Sequence, residues 1–284
     1  MKVSVVIPVL NEEKRLRECL DALNTGSEKP YEVIVVDGGS TDHTKEIAAG
    51  YDCTVLDNPK KHAAGGRNVG IKAAKGDVVA FTDGDCIPDR MWIENIRKAF
   101  ETGKCDGIGG WVGPVKTTNK YEAFWGKVSL EQIMSFGEKA YQVKNRTLND
   151  AFITANCAYK RRLLIGLRGF SNWFGNNAED VDLAWRAMET GAVLRYEPNV
   201  RVLAHSPETL QGICRKSFRN GYSSSKLQKK YGKFINYDPS LYKLFFSQLI
   251  HFFKRDEARW MVAEVGSHLL GKYYGSFKVR IINI

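Results

Sequence analysis

Three times within the first 85 residues an apolar run stops at a polar turn. Ser4-Val5-Val6-Ile7-Pro8-Val9 meets Leu10-Asn11-Glu12, Val33-Ile34-Val35-Val36 meets Asp37-Gly38-Gly39, and Val78-Val79-Ala80-Phe81 meets Thr82-Asp83-Gly84-Asp85. Continuous apolar runs this short read as strands buried on both faces, the kind that parallel sheets use. Between them the chain switches to helical spacing: Asn11 caps a segment carrying Leu16, Leu20 and Leu23, and the turn Gly38 to Asp42 opens one through Ile47 and Ala48. A short strand follows at Cys53 to Leu56, then Ala63-Ala64-Gly65-Gly66-Arg67-Asn68 leads into a helix through Val69, Ile71 and Ala74. Strands alternating with short amphipathic helices predict an α/β fold with a mostly parallel, helix-covered sheet. Parallel strands point one way, so all three polar turns belong to one edge of it. Open α/β sheets bind their ligands at that edge.

The rest of the composition narrows the chemistry. Six cysteines without a Cys-x-x-Cys pair suggest neither a zinc site nor a disulfide framework, and a reducing, cytosolic setting fits them. The apolar start, Met1 to Pro8, has no small-residue cleavage site behind it and runs at once into Asn11-Glu12-Glu13-Lys14-Arg15, so it reads as a first strand and not a signal peptide. The net charge of +10 is unevenly placed: Lys and Arg number 28 against 27 Asp and Glu in residues 1–205, and 14 against 5 in residues 206–284. We therefore expect a neutral domain over 1–205 and a basic helical extension over 206–284 that faces a polyanion. No nucleic-acid-binding module accompanies the charge, so an anionic membrane surface is the expected partner and nucleic acid is not.

A nucleotide fits the sheet edge, but the usual phosphate loops are missing. No Gly-x-Gly-x-x-Gly follows the first strand, and Gly107-Ile108-Gly109-Gly110 has the wrong spacing. Gly266 to Lys272 mimics a phosphate loop, yet Tyr273 stands where a hydroxyl should hold magnesium, and its surroundings read as helix. A diphosphate must then be met by a metal ion, which gives Asp83-Gly84-Asp85 a purpose.

Ser4 to Glu13, Val35-Val36-Asp37-Gly38-Gly39-Ser40-Thr41-Asp42, Arg67-Asn68-Val69-Gly70, Thr82-Asp83-Gly84-Asp85 and Glu179-Asp180 occur in this order. Together they resemble the family 2 glycosyltransferases of the GT-A fold, over about the first 205 residues. The resemblance implies a nucleotide-diphosphate-sugar donor (UDP by family frequency), Mn2+ or Mg2+, and transfer with inversion. It implies that Pro8, Val9, Leu10 and Glu12 line the base, that Asp37 with Gly39 accepts from it, and that Asp83 and Gly84 approach the ribose or the metal. Leu10 stands where Tyr or Phe is commoner. Asp85 is the implied direct metal ligand, joined by Asp83 and by His205 at the end of another apolar alternation, though that histidine also reads as a plain strand end. Arg67 pairs with the diphosphate or holds the acidic turn, and also reads as a simple surface arginine. Asp180 is the implied base for an acceptor hydroxyl, with Glu179 positioning the acceptor. The bland reading of that pair is two acids favoured in a first helical turn. Gly110, Trp111 and Asn156 match positions near the sugar and acceptor, with Trp111 equally readable as core.

The acceptor is expected to be a glycan or glycolipid hydroxyl, since a carboxylate base is wasted on an ionised phosphate. Polyprenyl phosphate transfer, or non-catalytic binding of a nucleotide sugar or lipid surface, remain the alternatives. In the basic extension, Tyr242, Phe245, Phe246, Leu249 and Phe253 share a helical face between Lys243 and Lys254-Arg255. Too short to span a bilayer, the run reads as an interfacial helix or as one packed on protein, in a homodimer for instance. Localisation at the cytoplasmic face of the membrane is the corresponding expectation. Tyr121 to Asn149, with Phe124, Trp125, Val128, Ile133, Met134 and Phe136, reads as a helical insertion or a loop over the acceptor side.

Overall fold

The structure, a computed structural model, describes residues 1–102, 104–133, 137–145, 152–232 and 257–279. The first three expected strands are β1 (Val3–Val9), β2 (Glu32–Asp37) and β3 (Thr54–Asp57), separated by α1 (Leu16–Asn24) and α2 (Thr44–Ala49). Helix α3 (Ala63–Ala73) returns the chain to β4 (Val78–Phe81). Then come β5 (Cys86–Pro88), α4 (Trp92–Thr102), β6 (Gly107–Pro114), α5 (Lys120–Ile133) and β7 (Tyr141–Gln142). A single 3-10 turn (Thr154–Asn156) precedes β8 (Cys157–Lys160), α6 (Arg161–Gly166), α7 (Glu179–Glu189), β9 (Leu194–Ala204), α8 (Leu210–Tyr231) and α9 (Glu257–Lys278).

Among the described residues these strands form one sheet in the order β3-β2-β1-β4-β8-β6-β9-β5, with β7 on β9. The block β3-β2-β1-β4 is parallel, as expected. Strand β8 runs antiparallel to both β4 and β6. The reason lies in where the chain re-enters: β6 leaves at the edge that carries Pro114, and Cys157 returns opposite Phe81 at that same edge, so β8 can only run back down. Strand order reverses between β1 and β4, because α1 carries the chain to one side of β1 and α3 brings it back to the other. A crevice opens at such a switch point, beyond the strand ends.

Period-two alternation sorts the buried side chains onto two faces. Val5, Ile7, Val35, Val78 and Ala80 pack with Leu16, Cys19, Leu20 and Leu23 of α1 and with Trp92, Ile93, Ile96 and Phe100 of α4. Val6, Ile34, Val36, Val79 and Phe81 pack on the opposite face with Ala64 and Ile71 of α3, Leu164 of α6 and Leu183, Ala184 and Ala187 of α7. Each large aliphatic or aromatic side chain so buried contributes about 1.5–3 kcal/mol. Gly70 sets the depth of α3: a methyl at this position would overlap both γ-carbons of Val6, so only glycine lets the helix lie this close to β1.

The chain divides into two compact units, Met1–Val115 with Ser129–His205, and Lys116–Val128 with Ser206–Ile284. The second therefore takes in the start of α5 as well as everything after His205. Within it, Phe124 and Trp125 of α5 cluster with Ile213 of α8 and Met261 of α9. Ser217 Oγ donates to Glu264 Oε1 at 2.7 Å and Ser225 Oγ to the Lys272 carbonyl at 2.8 Å, so α8 and α9 run parallel in constant register. Backbone meets backbone here: Gly221 abuts His268, Gly271 abuts Phe218 and Gly275 abuts Tyr222. The Gly266 to Lys272 stretch is helical, as its surroundings suggested. No described helix is long and apolar enough to cross a membrane. The apolar face read over Tyr242 to Phe253 lies outside the described residues, as do Met134 and Phe136.

Candidate active site

The turns after β1 and β2 are sewn together. Asn11, in a left-handed conformation with φ 56°, accepts from the Thr41 amide at 2.9 Å and donates its own amide to Ser40 Oγ at 2.9 Å. The Glu12 amide donates to Thr44 Oγ1 at 2.8 Å. Asp37, buried, accepts from the amides of Gly39 (2.9 Å) and Ser40 (3.1 Å), the tight turn resting on Gly39 at φ 94°. Burial opposes its ionisation, but the hydrogen bonds from Ser40 and Gly39 outweigh it and hold the carboxyl below the usual range. Of the residues expected to line a base, Leu10 is exposed at the sheet edge and Pro8 is half-buried. Val9 turns its side chain into the core, and its carbonyl takes the Gly38 amide at 2.8 Å. Glu12 also differs from expectation, because its side chain sits over Gly84, beside the acidic turn.

That turn, Asp83-Gly84-Asp85, joins β4 to β5 at the switch point. The Cys86 amide closes it onto the Asp83 carbonyl at 3.1 Å, and the His205 amide donates to the Asp85 carbonyl at 3.0 Å. His205 thus reaches the turn through its backbone, while its ring Nε2 lies 3.1 Å from Glu18 Oε2. Ligand atoms of Asp83, Asp85 and Cys86 all lie within 4.8 Å of one another. Glu12 crowds the same place, and burial followed by the Asp85 charge pushes its carboxyl up to about 8. Carboxylates that repel one another at this range suit a hard divalent cation, and the oxygen-rich donor set of Asp83 and Asp85 fits Mn2+ or Mg2+. Neither Glu12 beside the turn nor the Cys86 thiol was apparent from sequence as part of this cluster.

Arg67 ties the turn to the start of α7. Its helix begins at His62, whose Nδ1 accepts the Gly65 amide at 3.0 Å. One and a half turns on, the buried guanidinium donates through Nη2 to Asp83 Oδ1 at 2.6 Å and through Nη1 to Glu179 Oε1 at 2.7 Å. It also lies 5.8 Å from the centre of the Phe170 ring. Of the two roles read for Arg67, this geometry is the holding one. Glu179 is 3% exposed, its Oε1 held by Arg67 while its Oε2 is buried without a hydrogen-bond partner. Asp180 is partly exposed, its Oδ1 accepting the Val181 amide at 2.8 Å. Burial and the neighbouring carboxylate push Glu179 up, and burial pushes Asp180 up, in spite of the Arg67 charge. The pair enters the helix from Ala178, held at φ 67°, a conformation that costs a residue with a Cβ about 1 kcal/mol or more.

Asn156 departs from its expected place at the acceptor. Buried, it donates Nδ2 to the carbonyls of Trp111 (2.7 Å) and Val200 (2.8 Å) and accepts from Trp92 Nε1 (2.8 Å), so both of its N–H groups are used within the fold. It fixes the backbone of Trp111, whose half-buried ring carries the Arg201 guanidinium 4.2 Å from its centre. Gly110 is required there, since a side chain would run into the Val200 carbonyl and Asn156.

The sequence profile described as Glycosyl transferase family 2 matches residues 4–167. The pre-mycofactocin glycosyltransferase of Mycobacterium tuberculosis is 33% identical over 77% of this chain. The chain spans about half of that relative's length, 46%. Glycosyltransferase AglE of Haloferax volcanii is 29% identical over 77% of this chain and 71% of its own. Glucosyl-3-phosphoglycerate synthase from Mycobacterium tuberculosis, solved with Mn2+, uridine-diphosphate and glucosyl-3-phosphoglycerate, superposes with a TM-score of 0.58 at 19% identity, over 81% of this chain and 80% of that one. The sheet with its flanking helices is thus the GT-A fold. Because the profile spans more than half of its residues, the chain belongs to glycosyl transferase family 2.

Proposed function

We propose that this glycosyltransferase moves a sugar from a uridine-diphosphate donor to a hydroxyl of a glycan or glycolipid, inverting the anomeric carbon, with a divalent cation as cofactor. The observation that carries the reading is the Arg67 bridge, which brings Asp83 and the Glu179-Asp180 pair within the span of one guanidinium. A cation site and a proton acceptor that close together suit a displacement in which one group leaves as another attacks. The fold shared with a synthase solved with Mn2+ and UDP supports the choice of donor.

Asp83 and Asp85 would hold the cation, Mn2+ or Mg2+, which when bound neutralises the diphosphate so that it can leave without a protonated acid. The donor's base belongs at the β1 and β2 turns, between Leu10 and the Asp37-Gly39 corner. Asp180 accepts the proton of the attacking hydroxyl as its oxygen forms the new bond to the anomeric carbon, opposite the departing diphosphate. A carboxyl pushed upward by burial is the stronger base for that task. Arg67 and Glu179 are positioning residues: they hold Asp83 and the first turn of α7 in place and keep the carboxylates from driving one another apart.

The test pairs two substitutions. Asp180→Asn should lower transfer by about 10²–10⁴-fold while UDP binding, read by calorimetry, stays unchanged. Asp85→Asn should weaken UDP binding in Mn2+ and leave the weak binding in chelator as it was. Full turnover by Asp180→Asn on a hydroxyl acceptor refutes the base assignment, and turnover confined to polyprenyl phosphate selects a phosphate acceptor instead. A wild type that binds UDP but transfers to no acceptor reduces the protein to a binder.

A further inference from the structure

Helix α9 presents two different, opposite sides. One side is the glycine and serine seam that seats α8, and Glu264 turns toward that side through its bond to Ser217. The other carries Val262, Leu269, Leu270, Tyr273 and Phe277, spaced as one stripe along the helix. All five are exposed, Leu270 by 65%, Tyr273 by 71% and Phe277 by 84%. Single exposed hydrophobics need no explanation, but five on one face of a 22-residue helix form a contiguous patch of the kind that marks an interaction surface.

Charge selects the occupant. Residues 206–284 carry 14 Lys and Arg against 5 Asp and Glu, so a second copy would set one strongly cationic surface against another. An anionic surface is attracted by the same charge. The stripe ends in aromatic residues beside Lys278, the residue types that settle where acyl chains meet headgroups. No described helix is long and apolar enough to cross a membrane, and the stripe runs along one side of α9, so the contact would be with the helix lying flat, over a length of about 33 Å. We propose that the outer face of α9 seats this glycosyltransferase on an anionic membrane surface. The inference is independent of the donor and acceptor reading.

The experiment is co-sedimentation of the full chain with phosphatidylcholine vesicles containing about one quarter phosphatidylglycerol, and with phosphatidylcholine alone, at low and high salt. Binding should require the anionic lipid, weaken with salt, and fall about tenfold or more in Leu270→Glu/Phe277→Glu. Both side chains are exposed, so the variant should keep its far-ultraviolet circular dichroism and its UDP binding. A second variant, Tyr273→Ala, should weaken binding without adding charge. Failure of the wild type to sediment, equal binding to neutral vesicles, or undiminished binding by both variants overturns the proposal. So does a concentration-dependent dimer in lipid-free buffer that the double variant dissolves, which would make a second copy the occupant.

Discussion

Replacing Arg67 by methionine keeps the apolar stem of the side chain and removes its charge from a buried place. The guanidinium lies 2.6 Å from Asp83 Oδ1 and 2.7 Å from Glu179 Oε1. With charge centres about 4 Å apart and an effective dielectric constant of about 20, each pair gains about 4 kcal/mol of attraction. Much of this is offset by the several kcal/mol that each ion loses on leaving water, so the intact network is only mildly stabilising. Taking away one member is another matter. Arg67→Met leaves the Glu179 carboxyl buried with no cation beside it, and should cost about 3–5 kcal/mol. Glu179→Gln in the same chain removes the stranded charge, so the double variant should recover about 1–3 kcal/mol relative to the sum of the single effects. Urea unfolding of the four proteins, followed by tryptophan fluorescence and circular dichroism, measures the cycle. A loss below about 1 kcal/mol for Arg67→Met, or strictly additive losses, would refute the account of Arg67 as the tie between turn and helix.

Two further expectations follow from the same region. Because the Glu12 carboxyl is raised to about 8 in the folded state, the native protein holds a proton there that the unfolded chain releases near its ordinary value of 4.5. The Glu12 contribution to stability in chelator should therefore be complete below that value and fall by about 2–4 kcal/mol as pH rises to 8, so Glu12→Gln should make the pH slope over this range less negative than in the wild type; equal slopes for the two proteins contradict the assignment. Gly70→Ala should cost about 1–3 kcal/mol by overlap with Val6, and Gly70→Ala/Val6→Ala should regain part of it; equal stability of Gly70→Ala and the parent would show that α3 is not held against β1 as described.

What could be read in the chain and what could not divide along a physical line. Buried strands announce themselves through uninterrupted Val and Ile, so β1, β2 and β4 and their common edge were legible, and so was an acidic turn at the end of one of them. Strand β8 was not, because Cys157–Lys160 is four residues long and its direction depends on where a distant excursion returns. The two roles of Arg67 could not be separated because its partners are 16 and 112 positions away. Asn156 and Glu179 match family positions whose residue types suggest contact with a ligand, yet burial and pairing commit both to the scaffold. Val9 obeyed the alternation of its own strand and turned inward. The charge of the C-terminal part was plain, whereas the outer stripe of α9 was hidden: the side that seats α8 is made largely of glycine and polar groups, so its burial leaves no apolar periodicity in the sequence.

The Arg67 bridge has a bearing on how such a molecule can change over generations. The acidic turn comes from the first 85 residues and the carboxylates of α7 from a stretch nearly a hundred positions later, so the two could otherwise drift independently. One shared cation makes each half a condition for the other. Lineages can trade the later segment, and with it whatever it recognises, provided a carboxylate still arrives to meet position 67.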